Sequence, residues 1–238
     1  MRIEVVPTVE EIRFDQISNH VVIVIDVLRA SSTIVTALGN SFVCVIPVET
    51  IGQANSLRAA DCLLAGERHC RKIPDFDCNN SPTEISATKK PGKRLVLTTT
   101  NGTRAIQKAE RASALLIGCF LNATACINHA LTYHLDITLY CAGTRSKFAL
   151  EDGLAAGLMI VQAQKALANI QTCDLGEALK ASYLYYADKL SEQLLQTTTG
   201  KRLVSHHFAE DLRFCSQVDQ FQLVPYVKDK RILPHLVS

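Results

Sequence analysis

Residues 21–34 read VVIVIDVLRASSTI, and this stretch decides the fold. Five consecutive branched apolar residues are typical of a strand that is buried on both faces of a parallel sheet. Asp26 follows directly, and the segment behind it combines small polar residues, which often begin a helix, with apolar residues at helical spacing. A buried strand that passes through a polar turn into a helix is the repeating unit of an α/β fold.

The same unit recurs along the 238 residues. Short apolar runs predict strands, and the segments behind them have helical spacing. We therefore predict a three-layer α/β/α fold with a mostly parallel sheet. The predicted strands are 3–6, 21–25, 42–48, 62–65, 94–98, 114–117 and 135–141. The predicted helices are 30–38, 50–60, 101–109, 122–133 and 150–168.

The alternation stops near residue 150. Residues 151–196 favour two or three successive helices, broken near 171–172 and ended by the TTTG of 197–200. The segment DLRFCSQVDQFQLVPYVKDKRILP, 211–234, predicts short strands and turns that add an edge to the sheet. We predict one domain over residues 1–238, with 150–205 mainly helical.

Composition narrows the class of protein. The net charge is +2, from 25 basic and 23 acidic residues, which gives no general attraction to nucleic acid or to an anionic membrane. The apolar runs are far shorter than the roughly 20 residues that span a bilayer, and the N-terminal segment is too acidic for a signal peptide. These features predict a cytoplasmic protein without nucleic acid or membrane partners, and they leave a homo-oligomer open.

Nine cysteines form an odd set without a C-x-x-C pair, so we interpret them as reduced thiols. His69, Cys70 and Cys78 lack the fourth ligand and the paired spacing of a zinc site. Most of the other cysteines lie in or beside apolar runs, where they act as small buried hydrophobic residues.

Four polar turns follow predicted strands, at residues 26–34, 66–84, 98–105 and 141–153. In an open parallel sheet, ligands bind where the strands end and the helices begin. Hydroxyls and free N–H groups at helix starts suit an anion, and guanidinium groups suit phosphate or sulfonate. Carboxylates at the same edge suit Mg²⁺. The candidates for the anion are Ser31, Ser32, Thr100, Asn101, Gly102, Thr103, Arg29, Arg68, Arg104 and Arg145, and the candidates for the metal are Asp26, Glu67, Glu151 and Asp152.

Each candidate also has a purely structural interpretation. Serine, threonine and asparagine at a helix start are ordinary caps. Asp26 and Arg29 could form a structural ion pair, while Glu151 and Asp152 could favour a helix N-terminus electrostatically. The stretch TTTNGTRA, 98–105, carries the sharpest hypothesis, because Asn101 and Gly102 would let the backbone approach a phosphate that Arg104 also contacts.

Several of these motifs together resemble the 2-phosphosulfolactate phosphatase family. They are DVLRASSTI, AGER, NNSPTE, LTTTNGTRA, CAG, EDGLAAG and DLRFCSQVDQFQLVPYV, and the resemblance runs from about residue 3 to 228. It implies an α/β/α fold and a Mg²⁺-dependent hydrolysis of (2R)-2-phospho-3-sulfolactate to 3-sulfolactate and phosphate, a step in coenzyme M biosynthesis. Asp26, Arg29 and Arg104 are then the expected catalytic residues, and the substrate is a small phosphorylated sulfonate or carboxylate.

The route of hydrolysis stays open between attack on phosphorus by an enzyme nucleophile, with Asp26 the best placed, and attack by a metal-activated water. Leu28 stands where haloacid-dehalogenase-like phosphatases need a second aspartate, which argues against that superfamily. Two other functions stay open as well. One is a cysteine hydrolase that uses Cys141, and the other is an anion-binding module without turnover.

Overall fold

The computed structural model describes residues 1–236, and the last two residues of the predicted domain lie outside this range. The strands are β1 (Arg2–Val6), β2 (His20–Ile25), β3 (Cys44–Val48), β4 (Cys62–Arg68), β5 (Arg71–Lys72), β6 (Arg94–Thr98), β7 (Ala114–Gly118), β8 (Asp136–Cys141), β9 (Gln171–Thr172), β10 (Leu223–Lys228) and β11 (Arg231–Leu236). The helices are α1 (Ala30–Gly39), α2 (Ile51–Ser56), α3 (Pro82–Thr88), α4 (Gly102–Lys108), α5 (Ala123–Leu131), α6 (Leu150–Ala166), α7 (Asp174–Tyr186), α8 (Leu190–Gln196), α9 (Thr198–Ser205) and α10 (Ala209–Cys215).

The strands form one sheet in the order β5-β4-β6-β3-β11-β10-β7-β2-β8-β1-β9. Outside the β10–β11 hairpin, every strand pair is parallel except β4–β5. The two strands of the hairpin are antiparallel to each other and to their neighbours β7 and β3. Residues 21–25 of β2 are at most 1% exposed, as expected for a strand covered on both faces. The predicted α/β fold with a mostly parallel sheet is confirmed.

The C-terminal strands correct the sequence prediction. They do not add an edge but lie in the middle of the sheet, where β11 pairs with β3 and β10 pairs with β7. Pro225 and Pro234 lie opposite each other within the hairpin, and neither has an N–H for an outer neighbour. The ladders to those neighbours are accordingly short, with Ile232 opposite Val45 on one side and Tyr226 opposite a residue of β7 on the other.

The helical region agrees with the prediction. Residues 151–196 form the helices α6, α7 and α8, and the break near 171–172 is the short strand β9, which extends the sheet beside β1. Helix α8 ends at Gln196, directly before the TTTG of 197–200, and the Thr197 hydroxyl accepts the Gly200 N–H and so begins a further helix, α9. Two other elements differ from the prediction. The DLRFC of 211–215 is helical and ends α10, and α3 was not predicted at all, although Ser81 caps it and Pro82 occupies its first turn.

The polar turns after β2 and β6 meet, although these two strands are far apart in the sheet. β2 and β6 are five strands apart, which is about 24 Å in a flat sheet. The four residues from Thr98 to Gly102 can span at most about 14 Å. Even so, a Cβ built on Gly102 would lie 2.8 Å from Asp26 Oδ2 and 2.5 Å from the Ala30 Cβ. The carboxyl ends of distant strands therefore meet in one place.

Helix α1 packs on the face of the sheet that α4 also covers. All of its residues from Ala30 to Leu38 are buried. One continuous cluster joins apolar residues of α1 and α4 to residues of β2, β4, β6 and β8, so it covers both halves of the sheet. A second cluster fills the opposite face of β1, β2 and β8 under α5 and α6. Among residues 1–236, no helix is both long and apolar enough to cross a lipid bilayer.

Candidate active site

A cleft of about 160 Å³ opens at the carboxyl end of the sheet. It collects residues from the turns after β2, β6 and β8, from β4, and from α9. Its volume is below the 300–1,000 Å³ typical of drug-sized ligands, so it suits a small metabolite. Six of the predicted site residues line this cleft. They are Asp26, Arg29, Glu67, Thr100, Asn101 and Arg145. Gly102 lies against Asp26 but does not line the cleft.

Asp26 follows β2 directly and is 9% exposed at the cleft. Its Oδ1 accepts the Ala30 N–H at 3.1 Å, and its own N–H is bonded to the Ser31 hydroxyl. Burial raises the pKa of Asp26 to about 7; the Ala30 N–H and Arg29 act to lower this pKa, and the nearby charges of Glu67 and Glu151 act to raise it. A carboxylate in this setting is stabilised by a proton or by a cation.

Glu67 is the second carboxylate at the cleft. Its Oε1 accepts the hydroxyl of Thr100 at 2.9 Å, and its Oε2 accepts the N–H of Cys70 at 2.8 Å. These bonds join the end of β4 to the loop behind β6. Asn101 on that loop donates from Nδ2 to the Gly143 carbonyl at 2.9 Å, which joins it to the turn behind β8. The three turns are thus held together by side chains of the site itself.

Glu151 and Asp152 are buried beside Asp26 but do not line the cleft. Both are 2% exposed. Asp152 accepts the N–H groups of Val27 at 2.8 Å and Gly143 at 3.0 Å, so each carboxylate oxygen already binds backbone. Burial, followed by the charges of Asp26 and Glu151, raises the pKa of Asp152 well above its ordinary range.

The predicted set of four metal ligands therefore narrows to two. Within residues 1–236, no three His, Cys, Asp or Glu side chains come together as a group that could hold a metal ion. Mg²⁺ commonly binds one or two carboxylates together with waters and substrate phosphate. Asp26 and Glu67 are the two carboxylates that fit such a site. Both line the cleft, and their negative charges repel each other unless a cation lies between them.

Arg29 is 3% exposed, and its guanidinium is firmly held. Nη1 donates to Asp211 Oδ2 at 2.5 Å, Nη2 donates to Asn79 Oδ1 at 3.3 Å, and the group lies 4.2 Å from the centre of the Phe208 ring. Arg29 still lines the cleft, but its charge is balanced by Asp211 of α10. Its partners could not be assigned from sequence, because they lie 50 and 182 residues away.

Arg68 and Arg104 do not reach the cleft. The Arg68 guanidinium donates to the backbone carbonyls of Glu49 and Glu67 at 2.8 Å, so it supports the loops. Arg104 lies on the outer side of α4, where Nη1 is 3.5 Å from Glu10 Oε1 and both side chains are exposed. In this orientation the Arg104 guanidinium points away from the cleft and does not make the expected bidentate contact with a phosphate there.

The serine and threonine hydroxyls at two helix starts also point elsewhere. Ser31 Oγ donates to the Val24 carbonyl, and Ser32 Oγ donates to the Val27 carbonyl at 2.8 Å. Thr103 Oγ1 donates to the carbonyl of Thr99, one turn earlier. All three hydroxyls satisfy backbone groups, so these residues shape the turns and do not line the cleft.

Sequence reasoning missed several residues at the cleft. The weak signals for two of them are the NNSPTE and TTTG motifs, which predict turns and helix ends but not ligand contacts. The missed residues with polar side chains or backbone groups at the cleft include His69, Asn80, Thr99, Gly143, Thr144, Thr199 and Arg202.

Cys141 is fully buried in β8 and does not line the cleft. Burial and the charges of Asp152 and Glu151 raise the pKa of its thiol well above the ordinary range, which disfavours the thiolate that a cysteine hydrolase needs. All nine cysteines are free, as predicted. These observations argue against the cysteine-hydrolase hypothesis.

A polar cleft at the carboxyl edge of an α/β sheet, lined by two carboxylates and by arginines, defines a site for a small anionic metabolite. Comparison with known proteins gives the particular family. The profile of the 2-phosphosulpholactate phosphatase family matches residues 6–230. The chain therefore belongs to the 2-phosphosulfolactate phosphatase family.

Three relatives carry the name "Probable 2-phosphosulfolactate phosphatase". The protein of Thermotoga petrophila is 41% identical over 206 residues, which cover 85% of this chain and 87% of that protein. The protein of Caldanaerobacter subterraneus subsp. tengcongensis is 39% identical over 212 residues, with 87% and 88% covered. The protein of Clostridium acetobutylicum is 32% identical over 237 residues, with 98% and 100% covered.

Proposed function

We propose that this protein is a Mg²⁺-dependent phosphomonoesterase that hydrolyses 2-phosphosulfolactate to 3-sulfolactate and phosphate. Membership of the family and the names of the relatives support the reaction and the substrate. The observation that carries the proposal is the pair of carboxylates, Asp26 and Glu67, at a cleft that arginines also line. A substrate with three acidic groups matches a site in which several cationic side chains meet.

Asp26 and Glu67 would hold the Mg²⁺, which when bound offsets the charge of the phosphate oxygens during transfer. Thr100 and Asn101 lie beside these carboxylates and position the loop after β6 against the phosphate. Arg145 is exposed at the mouth of the cleft and adds positive charge there. Over the whole reaction, by either route, the bond from phosphorus to the C2 oxygen breaks, a water oxygen becomes part of the released phosphate, and the C2 oxygen gains a proton that replaces the one lost from water.

The assay measures phosphate release from 2-phosphosulfolactate in the presence of Mg²⁺, after EDTA, and after Mg²⁺ is restored. We expect release to stop with EDTA and to return with Mg²⁺. Release that EDTA does not affect would contradict the metal requirement. Binding of the ester without release would indicate an anion-binding module, and loss of release with a thiol reagent in the absence of any metal requirement would favour a cysteine hydrolase.

A second experiment separates the two routes to the phosphorus atom. If Asp26 is the nucleophile, one turnover passes through an acyl phosphate on its side chain, which borohydride reduces to homoserine. Direct attack by water leaves Asp26 unmodified under the same conditions. Quenching a single turnover with borohydride and locating homoserine at position 26 by mass spectrometry distinguishes these outcomes.

A further inference from the structure

Three unpaired polar atoms belong to residues that line the cleft. They are Asn80 Oδ1, Thr199 Oγ1 and Arg202 Nε, and within residues 1–236 each is buried without a hydrogen-bond partner. Buried polar groups nearly always have a partner, because an unpaired one loses its hydration without compensation. Three such groups on one cleft indicate that a ligand supplies the partners.

Helix α9 presents two of these groups on the same side. Thr199 and Arg202 are three residues apart, so they lie one turn apart on one face of the helix. Thr199 is 3% exposed, and its hydroxyl is free to donate. The Arg202 guanidinium donates from Nη2 to Thr144 Oγ1 at 3.2 Å, which holds it at the cleft while Nε stays free.

The charge of Arg202 is not balanced by the protein. No carboxylate in residues 1–236 lies within ion-pair distance of its guanidinium, in contrast to Arg29, which is paired with Asp211. Asn80 is 4% exposed and completes the group. Rotating its amide by 180° puts the NH₂ in the place of Oδ1, where it donates in turn. The three side chains then offer an arginine, a hydroxyl and an amide to one oxyanion.

We propose that Thr199, Arg202 and Asn80 bind the acid group of the substrate that stays on the product, a sulfonate or carboxylate beside the phosphate ester. This inference rests on the proposed function, which assigns the transferred phosphate to the end of the cleft with Asp26 and Glu67. The unpaired groups at α9 then select phosphate esters that carry a second acid. A simple phosphate ester has nothing to bind there.

The test compares Arg202→Met and Thr199→Val with two matched controls. Lys201→Met removes an exposed cation from the same helix, and Thr36→Val removes another buried, unpaired threonine hydroxyl that lies in α1 and outside the cleft. kcat and KM are measured for 2-phosphosulfolactate and for p-nitrophenyl phosphate, which lacks the second acid. The affinity for 3-sulfolactate is measured by calorimetry.

We expect Arg202→Met to lower kcat/KM for 2-phosphosulfolactate by roughly 10- to 100-fold, mainly through KM, because a charge-assisted hydrogen bond is lost. Thr199→Val should lower it by several-fold. Turnover of p-nitrophenyl phosphate should change by less than about twofold in both variants. Without ligand, Thr199→Val should unfold at the same temperature as the wild type or higher, because the hydroxyl that it removes has no partner. Neither control should change the kinetic constants or the affinity for 3-sulfolactate, and Thr36→Val, like Thr199→Val, should unfold at the wild-type temperature or higher.

The outcomes separate this inference from the proposed function. An equal loss of activity on both phosphate esters would show that α9 holds the transferred phosphate, and no loss on either would show that α9 binds no substrate group; both results overturn the inference. If the wild type releases no phosphate but binds 3-sulfolactate in a way that depends on Arg202, the subsite stands and the proposed function fails. The same kinetics with 2-phospholactate, which has the carboxylate but no sulfonate, identify the bound group. If Arg202→Met lowers kcat/KM for 2-phospholactate as much as for 2-phosphosulfolactate, the bound group is the carboxylate. If kcat/KM for 2-phospholactate is unchanged, the bound group is the sulfonate.

Discussion

Asp26 is a buried carboxylate whose ionised form is unfavourable in the ligand-free protein. We expect Asp26→Asn to lose most phosphatase activity, at least about 100-fold, because the amide keeps the acceptor for the Ala30 N–H but loses the charge that holds a cation. The ligand-free variant should be as stable as the wild type at pH 8 or more stable. Steady-state kinetics and urea denaturation check the two expectations.

The pH dependence follows from the pKa of about 7 for Asp26. A carboxyl with a raised pKa contributes stability that is complete below about pH 4 and is lost as the pH rises through 7. The stability of the wild type relative to Asp26→Asn should therefore fall between these pH values and stay constant above them. Mg²⁺ should raise the melting temperature of the wild type more at pH 8 than at pH 5.5, and should have little effect on the variant. An equal effect of Mg²⁺ on both proteins would contradict the assignment.

Arg104 shows how a side chain with the right chemistry can still face away from a site. We expect Arg104→Gln to change kcat/KM by less than about twofold and stability by less than about 1 kcal/mol, because the ion pair that it makes with Glu10 is exposed to solvent. The kinetic comparison with Arg202→Met in the same assay checks this. A large loss of kcat in Arg104→Gln would restore the original hypothesis that this residue contacts phosphate.

At this scale the sequence predicts a residue well when the backbone alone determines its position. Asp26 follows a buried strand directly, so its place at the carboxyl edge could be predicted. The directions of Ser31, Ser32 and Arg104 depend on side-chain rotation and on partners from other elements, which sequence spacing does not describe. Arg202 could not be assigned to the cleft, because residues 150–205 were predicted only as mainly helical and spacing alone does not show which face of a helix meets the site.

At the scale of elements, the beginning of α4 has a strict size limit. A Cβ on Gly102 would lie 2.5 Å from the Ala30 Cβ and 2.8 Å from Asp26 Oδ2. We expect Gly102→Ala to cost about 1–3 kcal/mol of stability, because α4 and α1 must move apart, and to lower kcat about tenfold or more through displacement of Asp26. Denaturation and steady-state kinetics measure both effects.

Gly52→Ala in α2 is the matched control for that substitution. A Cβ on Gly52 would meet only the Thr50 hydroxyl, at 3.9 Å, and alanine favours a helix more than glycine does. The control should therefore gain a few tenths of a kcal/mol or more and keep its activity. Full activity in Gly102→Ala would mean that the contact with Asp26 does not matter for catalysis.

The elements that could be predicted are those that the repeating strand–turn–helix unit covers, because local hydrophobic spacing determines them. The strand β9 and the helix α3 are short, and packing against β1 and α1 stabilises them more than their own sequences do. Thr197 has two roles, because it follows the end of α8 at Gln196, as predicted, and also caps the start of α9, which was not predicted.

At the scale of the whole molecule, the β10–β11 hairpin connects the two halves of the sheet. We expect Ile232→Ala to cost about 2–5 kcal/mol, because its side chain is fully buried opposite Val45 in the middle of the sheet. Leu236→Ala in the same strand is the control, since this side chain is 75% exposed and should change stability by less than about 0.5 kcal/mol. A similarly small effect of both substitutions on urea denaturation would show that the hairpin is an accessory to the sheet.

Sequence spacing placed this hairpin at an edge because prolines are usually confined to edge strands. The two prolines lie opposite each other, so each missing N–H falls on a side where the hairpin makes few bonds to its neighbour. The order of strands depends on pairings between residues nearly 190 positions apart, and a single sequence carries little information about such pairings.

The central position of the hairpin also has a consequence for how the chain reaches its native state. During synthesis, β3 and β7 leave the ribosome long before the segment that must be inserted between them, so each waits with one edge unpaired. Such edges are templates for association with other chains, and pairings across so large a sequence separation form slowly. Refolding should therefore be slow, and the yield of native protein should fall as the protein concentration rises. Nascent chains that have not yet been extended to residue 223 should be bound by chaperones until the last two strands are synthesised.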